Sequence, residues 1–165
     1  MKKAKRKTQT QSSVKANQQI RRGQVKTTEN QIKKHISQMT SDETAFIAKR
    51  LKMVYANYKW HPHFLNSSRL FNMMTVERLL ISPNIQDCII EYNQRGNDRR
   101  VLLRSTFSSN VTLEKDGKSY EADANLCLVI DIYTGVIVTA YWNEATDHHD
   151  NVNMKRYNAE LKICS

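Results

Sequence analysis

The sequence predicts an α+β domain: N-terminal helices packed on a four-stranded antiparallel sheet, preceded by a disordered basic tail. Three observations predict it. The positive charge is concentrated at one end, since eleven of the first 34 residues are Lys or Arg and only Glu29 is acidic. Apolar residues recur at helical spacing between about Ser41 and Leu80. From Asp87 onward the apolar period changes to that of strands. Helices first and strands afterwards is an α+β order.

The tail accounts for the formal net charge. The 165 residues carry 26 Lys and Arg against 16 Asp and Glu, a balance of +10, whereas from His35 onward fifteen basic residues face fifteen acidic ones. A segment so polar cannot bury enough surface to offset its ordering entropy, so residues 1–34 are expected to be disordered and residues 35–165 to form a single domain. Such an arm favours polyanions, and Lys5, Arg6, Arg21 and Arg22 are candidate RNA contacts. The competing reading is a solubilising terminus.

Each element has a local cause. Thr40 and Glu43 form a capping box, and Phe46, Ile47, Leu51, Val54, Tyr55 and Tyr58 follow at helical spacing, which predicts a helix from about Ser41 to Asn57. A weaker helix is expected over Thr27–Gln38, with Ile32 and Ile36 on one side. Pro62 breaks the pattern, and a second helix begins near Pro62 or Asn66 with Phe64, Leu65, Leu70 and Phe71. A third short helix near Thr75 turns Val76, Leu79 and Leu80 inward. Cys88–Asn93 and Arg99–Thr106 read as strands joined at Gly96, and Leu126–Ile132 and Val136–Trp142 as the two strongest strands, joined at Gly135. Residues 108–122 read as a polar excursion, with Asp116-Gly117 at the turn of a short hairpin. The last residues, 153–163, close the chain as a short helix or strand.

The blocks H-F-L-N-S-S-R-L, C-I-I-E-Y-N, R-R-V-L-L-R-S, L-C-L-V-I-D and G-V-I-V-T-A-Y-W-N-x-x-x-D-H, between His63 and about Tyr157, carry a resemblance. In this order the chain resembles the RelE-like, barnase–EndoU–colicin (BECR) superfamily of small ribonucleases and toxins. The resemblance implies a helix bearing His, an antiparallel sheet with Arg on a middle strand, and hydroxyl or aromatic residues near the last strand. It further implies metal-independent RNA cleavage, with ribosomes or tRNA as targets and an antitoxin or host protein as partner. A phage-encoded toxin in a host cytoplasm fits the same picture.

The residues themselves suit such chemistry. Transphosphorylation needs a base for the 2′-OH, a cation or donors for the phosphate, and an acid for the leaving oxygen. Histidine serves the first and last, because its pKa lies near neutrality; each such group contributes roughly 10²–10⁴-fold. Arginine serves the second through its permanently charged fork. His63, Arg104, Tyr141 and His148 are therefore the candidate catalytic residues, with Arg69, Thr139 and Asn143 as RNA contacts. Arg104 follows an apolar run mid-strand, where a charge needs a partner; the alternatives are a salt bridge to Glu91 or a solvated edge. Alternation puts Thr139, Tyr141 and Asn143 on one face and Val138, Ala140 and Trp142 on the other. The polar row reads either as a cleft wall or as an ordinary wet face. Tyr157 is a candidate to return to the site from the C-terminal segment.

Competing readings complete the expectation. A non-catalytic module that binds nucleic acid or protein, such as a phage accessory or virion component, uses the same fold and tail. A metal hydrolase draws on His61, His63, Asp147, His148, His149 and Asp150, but H-x-H and D-H-H-D are short signals on separate segments, and the expectation is no metal and no cofactor. Walker-type and dinucleotide glycine loops are absent. No secretory signal pattern and no membrane-length apolar run occurs, and Cys88, Cys127 and Cys164 are odd in number and far apart. A reducing cytoplasm and no membrane partner are the expectation.

Overall fold

The computed structural model describes residues 32–62, 73–148 and 152–164. The described chain forms one six-stranded mixed sheet with two α-helices. In chain order the strands are β1 (Lys33–His35), β2 (Lys59–Trp60), β3 (Ile89–Arg95), β4 (Asp98–Lys115), β5 (Lys118–Asp131) and β6 (Val136–Glu144). The helices are α1 (Ser41–Tyr55) and α2 (Met73–Leu80). The sheet order is β1-β3-β4-β5-β6-β2, antiparallel except where β2 runs parallel to β6.

The expected four-stranded antiparallel sheet behind N-terminal helices is therefore corrected. Its central meander, β3 to β6, is present, but a strand is added at each edge. β1 stands at the end of the stretch read as a weak helix, so the described chain opens with a strand and not with a helix. β1 is polar and short, and its structure comes from its partner: Lys34 pairs with Tyr92 on β3. Two of the eleven basic residues counted in the tail, Lys33 and Lys34, belong to this strand. Residues 108–122 are likewise not a separate hairpin. β4 and β5 run through them as one long arm that turns at Asp116 and Gly117, both with positive φ.

α1 begins where its capping box predicts. Thr40 Oγ1 accepts from the Glu43 N–H at 3.2 Å, and Glu43 Oε2 accepts from the Thr40 N–H at 3.0 Å. Its buried positions Ile47, Leu51 and Val54 follow helical spacing. With Val76, Leu79 and Leu80 of α2 they cover one face of the sheet, against Tyr92, Val101, Leu103, Leu126, Leu128, Ile130, Ile137 and Ala140. The segment read as a second helix, 63–72, lies outside the described residues, as do the basic tail residues 1–31. The last described segment is irregular apart from a 3₁₀ turn at Met154–Arg156.

Three register shifts shape the sheet. Between β3 and β4 the shift falls at Ile89/Glu91. Between β4 and β5, Arg104 pairs with Cys127 and Ser108 with Asn125, so two extra residues are looped out of β4. Between β5 and β6, Val129 pairs with Thr139 and Ile130 with Ile137, so Val138 has no partner on β5. Ile137, and not Val138, is thereby the fully buried residue at the start of β6.

Candidate functional site

α1 and α2 occupy one face of the sheet; the other carries polar residues in cross-strand rows. One row is His35, Glu91, Leu102, Val129 and Thr139, from β1 to β6. The next is Arg104, Cys127 and Tyr141 on β4, β5 and β6. Two strand spacings separate Arg104 from Tyr141, about 10 Å between backbones, within the joint reach of both side chains. Beyond them Asn125 pairs with Asn143. Alternation thus brings four candidates, Arg104, Thr139, Tyr141 and Asn143, to one face.

Arg104 is held by the irregularity beside it. Its Nε and Nη2 donate to Asn125 Oδ1 at 3.1 and 2.9 Å, and Nη2 also donates to the Glu144 carbonyl at 3.1 Å. Its Nη1 group makes no hydrogen bond to any described residue. The looped-out residues satisfy themselves: Ser105 Oγ donates to the Phe107 carbonyl at 2.7 Å and accepts from the Leu126 N–H at 2.9 Å, and Asn125 Nδ2 donates to the same carbonyl at 3.0 Å. The expected alternative, a salt bridge from Arg104 to Glu91, does not form. Glu91 instead accepts from Lys33 Nζ at 3.1 Å and from Tyr157 Oη at 2.5 Å. Tyr157 does return to this face, with its ring edge-on to His35 at 5.3 Å.

Tyr141 is 40% exposed, whereas Cys127 beside it is 1% exposed. Burial pushes the Tyr141 hydroxyl up to about 12, with help from the neighbouring Cys127 thiol and from Glu91; Arg104 opposes the shift. Burial likewise raises the Cys127 thiol, outweighing Arg104 and the Tyr141 hydroxyl. Burial and the Glu91 contact raise Tyr157 further. These three groups hold their protons at neutral pH, so they act here as donors and not as bases.

Asp147 lies in the turn after β6, its N–H donating to the Glu144 carbonyl at 3.0 Å, and its charge is felt at Cys127. His148 follows it, exposed. An open cleft of about 330 Å³ at this end is lined by Leu113, Tyr120, Trp142, Asn143, Glu144 and Asp147, among others, with Tyr120 donating to Glu144. His61 belongs to the β2 edge, where its N–H donates to the Ile137 carbonyl at 2.8 Å. Among the described residues no three His, Cys, Asp or Glu stand close enough to hold a metal ion. His63, Arg69, His149, Asp150, Lys5, Arg6, Arg21 and Arg22 lie outside the described residues.

Sequence reasoning missed Asn125 and Cys127. Period two places both on the polar face of β5, and that signal was masked by the apolar residues around them. No helix among the described residues is long and apolar enough to cross a membrane. Comparison with known proteins finds no family, no curated protein and no solved structure that matches the chain.

Proposed function

We propose that the protein binds single-stranded RNA across the face of its sheet opposite α1 and α2, with the basic N-terminal segment adding sequence-independent affinity. The observation that carries this reading is the Arg104–Cys127–Tyr141 row: an exposed aromatic ring two strands away from a guanidinium that is anchored on Asn125 and the Glu144 carbonyl, with Nη1 left over. A base stacked on Tyr141 contributes roughly 1–3 kcal/mol. The Nη1 group suits a backbone phosphate. Asn143 and Thr139 offer polar contacts along the same strand. Residues 1–31 contain nine Lys or Arg against Glu29, and each phosphate they neutralise steepens the salt dependence.

Binding is put before cleavage because the exposed Tyr141 ring shares its cross-strand row with the anchored Arg104 guanidinium, and no histidine stands in that row. The ribonuclease reading rests on His148, whose neighbour Asp147 acts on the same face, and on His63. One assay separates the two: anisotropy of a labelled oligouridylate with the full chain in EDTA, followed by a gel of the same RNA. Binding without cleavage is expected. Tyr141→Ala should weaken it by about tenfold and Tyr141→Phe by much less. Changing Lys5, Arg6, Arg21 and Arg22 together to Gln should reduce the log–log salt slope by up to about 3. An absence of salt-sensitive binding, or an unchanged affinity in Tyr141→Ala, overturns the proposal. Cleavage that His148→Ala abolishes would establish the ribonuclease in its place.

A further inference from the structure

We infer that the free edge of β4 is a homodimer interface, an inference independent of the RNA reading. β3 covers β4 only from Asp98 to Leu103. From Ser108 to Lys115 the strand pairs with β5 on one side, and among the described residues no strand pairs with it on the other. Alternate residues of such a run turn their N–H and C=O groups outward, so about four donors and four acceptors form a ready template.

Edge strands are ordinarily blunted by proline, lysine or an inward charge. The stretch Ser108-Ser109-Asn110-Val111-Thr112-Leu113 has none of these; Glu114 and Lys115 stand at the tip, and Asp123 and Glu121 lie opposite Asn110 and Thr112 on β5. Residues 105–107, among which the two extra residues fall, mark where regular pairing begins, not where it is blocked.

The occupant is a second copy because the edge is self-complementary. A two-fold axis through Val111, perpendicular to the sheet, sets Val111 against its symmetry mate, Asn110 against Thr112, Ser109 against Leu113 and Ser108 against Glu114. Opposed residues then share a face, as antiparallel pairing requires. No charge meets a like charge. Half-buried Val111 and Leu113 gain cover on one face, while exposed Asn110 and Thr112 pair on the other. The two sheets become one of twelve strands, and the two Arg104–Tyr141 rows lie on the same side of it.

Asn110→Lys with Thr112→Lys tests this. Both positions are exposed and pair on β5 with Asp123 and Glu121, so the fold tolerates lysines there, while each new cation faces another across the axis. Sedimentation velocity of the full chain should show a dimer for the wild type. The double-Lys protein, whose cations are partly offset by Asp123 and Glu121 of the same chain, should dimerise about tenfold more weakly, and Asn110→Glu with Thr112→Glu, which opposes those carboxylates, more weakly still. An equimolar mixture of the Lys and Glu proteins should recover the dimer. The inference is overturned by a monomeric wild type, by a double-Lys protein that stays dimeric, or by a mixture that stays monomeric.

Discussion

Gly135 and Gly117 provide a controlled comparison of backbone cost with packing cost. Both have positive φ, +72° and +75°, so alanine carries the same left-handed penalty at each, about 1 kcal/mol. Their surroundings differ. At Gly117, on the tip of the β4–β5 arm, an added Cβ meets nothing within 4 Å. At Gly135 it lies 3.2 Å from Val54 Cβ and 3.3 Å from both the Val54 carbonyl oxygen and Tyr58 Cα. Two of these three neighbours are backbone atoms at the end of α1 and the start of the link to β2, so they cannot rotate aside. The turn is fastened at the same place: the Lys59 N–H donates to the Gly135 carbonyl at 3.0 Å, and Arg50 Nε donates to the Ile132 carbonyl at 3.1 Å while its guanidinium lies over the Tyr133 ring. Moving α1 by a few tenths of an ångström to admit a methyl group is an overpacking cost of about 1–3 kcal/mol. Gly117→Ala should therefore lose about 1 kcal/mol and Gly135→Ala about 2–4. Urea unfolding followed by the fluorescence of Trp60 and Trp142 measures both. Equal losses in the two variants would refute the claim that this turn is packed against α1.

Three further predictions follow from buried groups. Glu43 accepts from Lys34 Nζ at 2.8 Å, and Lys34 also donates to the Leu161 carbonyl at 2.9 Å, so β1, α1 and the C-terminal segment meet at one ion pair, 4% and 8% exposed. Lys34→Met leaves the carboxylate without its cation and should cost about 3 kcal/mol by urea unfolding. Burial pushes the Glu43 carboxyl up, but hydrogen bonds from Lys34, Thr40 and Ile163 more than offset this and hold it below its ordinary value; Asp131 is held down in the same way by the N–H groups of Thr134, Arg99 and Tyr133. Their contributions are therefore present above the ordinary carboxylate range and lost as pH falls through it and below. Urea midpoints should drop below about pH 4.5, and Asp131→Asn should flatten that drop. As for the thiols, Cys164 is exposed whereas Cys88 and Cys127 are buried, so a neutral-pH thiol reagent should label Cys164 alone until the protein unfolds.

How much was legible depends on where each signal resides. α1 was readable because its cap and apolar spacing lie within fifteen residues. β5 and β6 were readable because their apolar residues are continuous. β1 and β2 were not: Lys33–His35 and Lys59–Trp60 have no alternating pattern of their own and become strands only by pairing with β3 and β6. From sequence the arm reads as a separate hairpin, because its polar stretch hides a pairing continuous from Ser108/Asn125 to Lys115/Lys118. The polar face of β6 was read correctly from Thr139 to Asn143, yet its opposite face was misassigned at Val138.

That error explains how the candidate site is built. Strict alternation back from Trp142 through Ala140 turns Val138 inward and Ile137 outward. Ile137 is the bulkier apolar residue and is fully buried, so the chain takes up one unmatched residue to seat it. Without that residue, either Ile137 would face outward or Thr139 and Tyr141 would turn into the core. The looped-out residues of β4 play the matching part for Arg104. They break the ladder next to it, free Asn125 to turn its side chain toward the guanidinium, and leave Ser105 to satisfy Leu126. Arg104 and Tyr141 therefore owe their positions to two departures from regular pairing, at Ser105–Phe107 and Val138, on strands whose regular parts supply only the core.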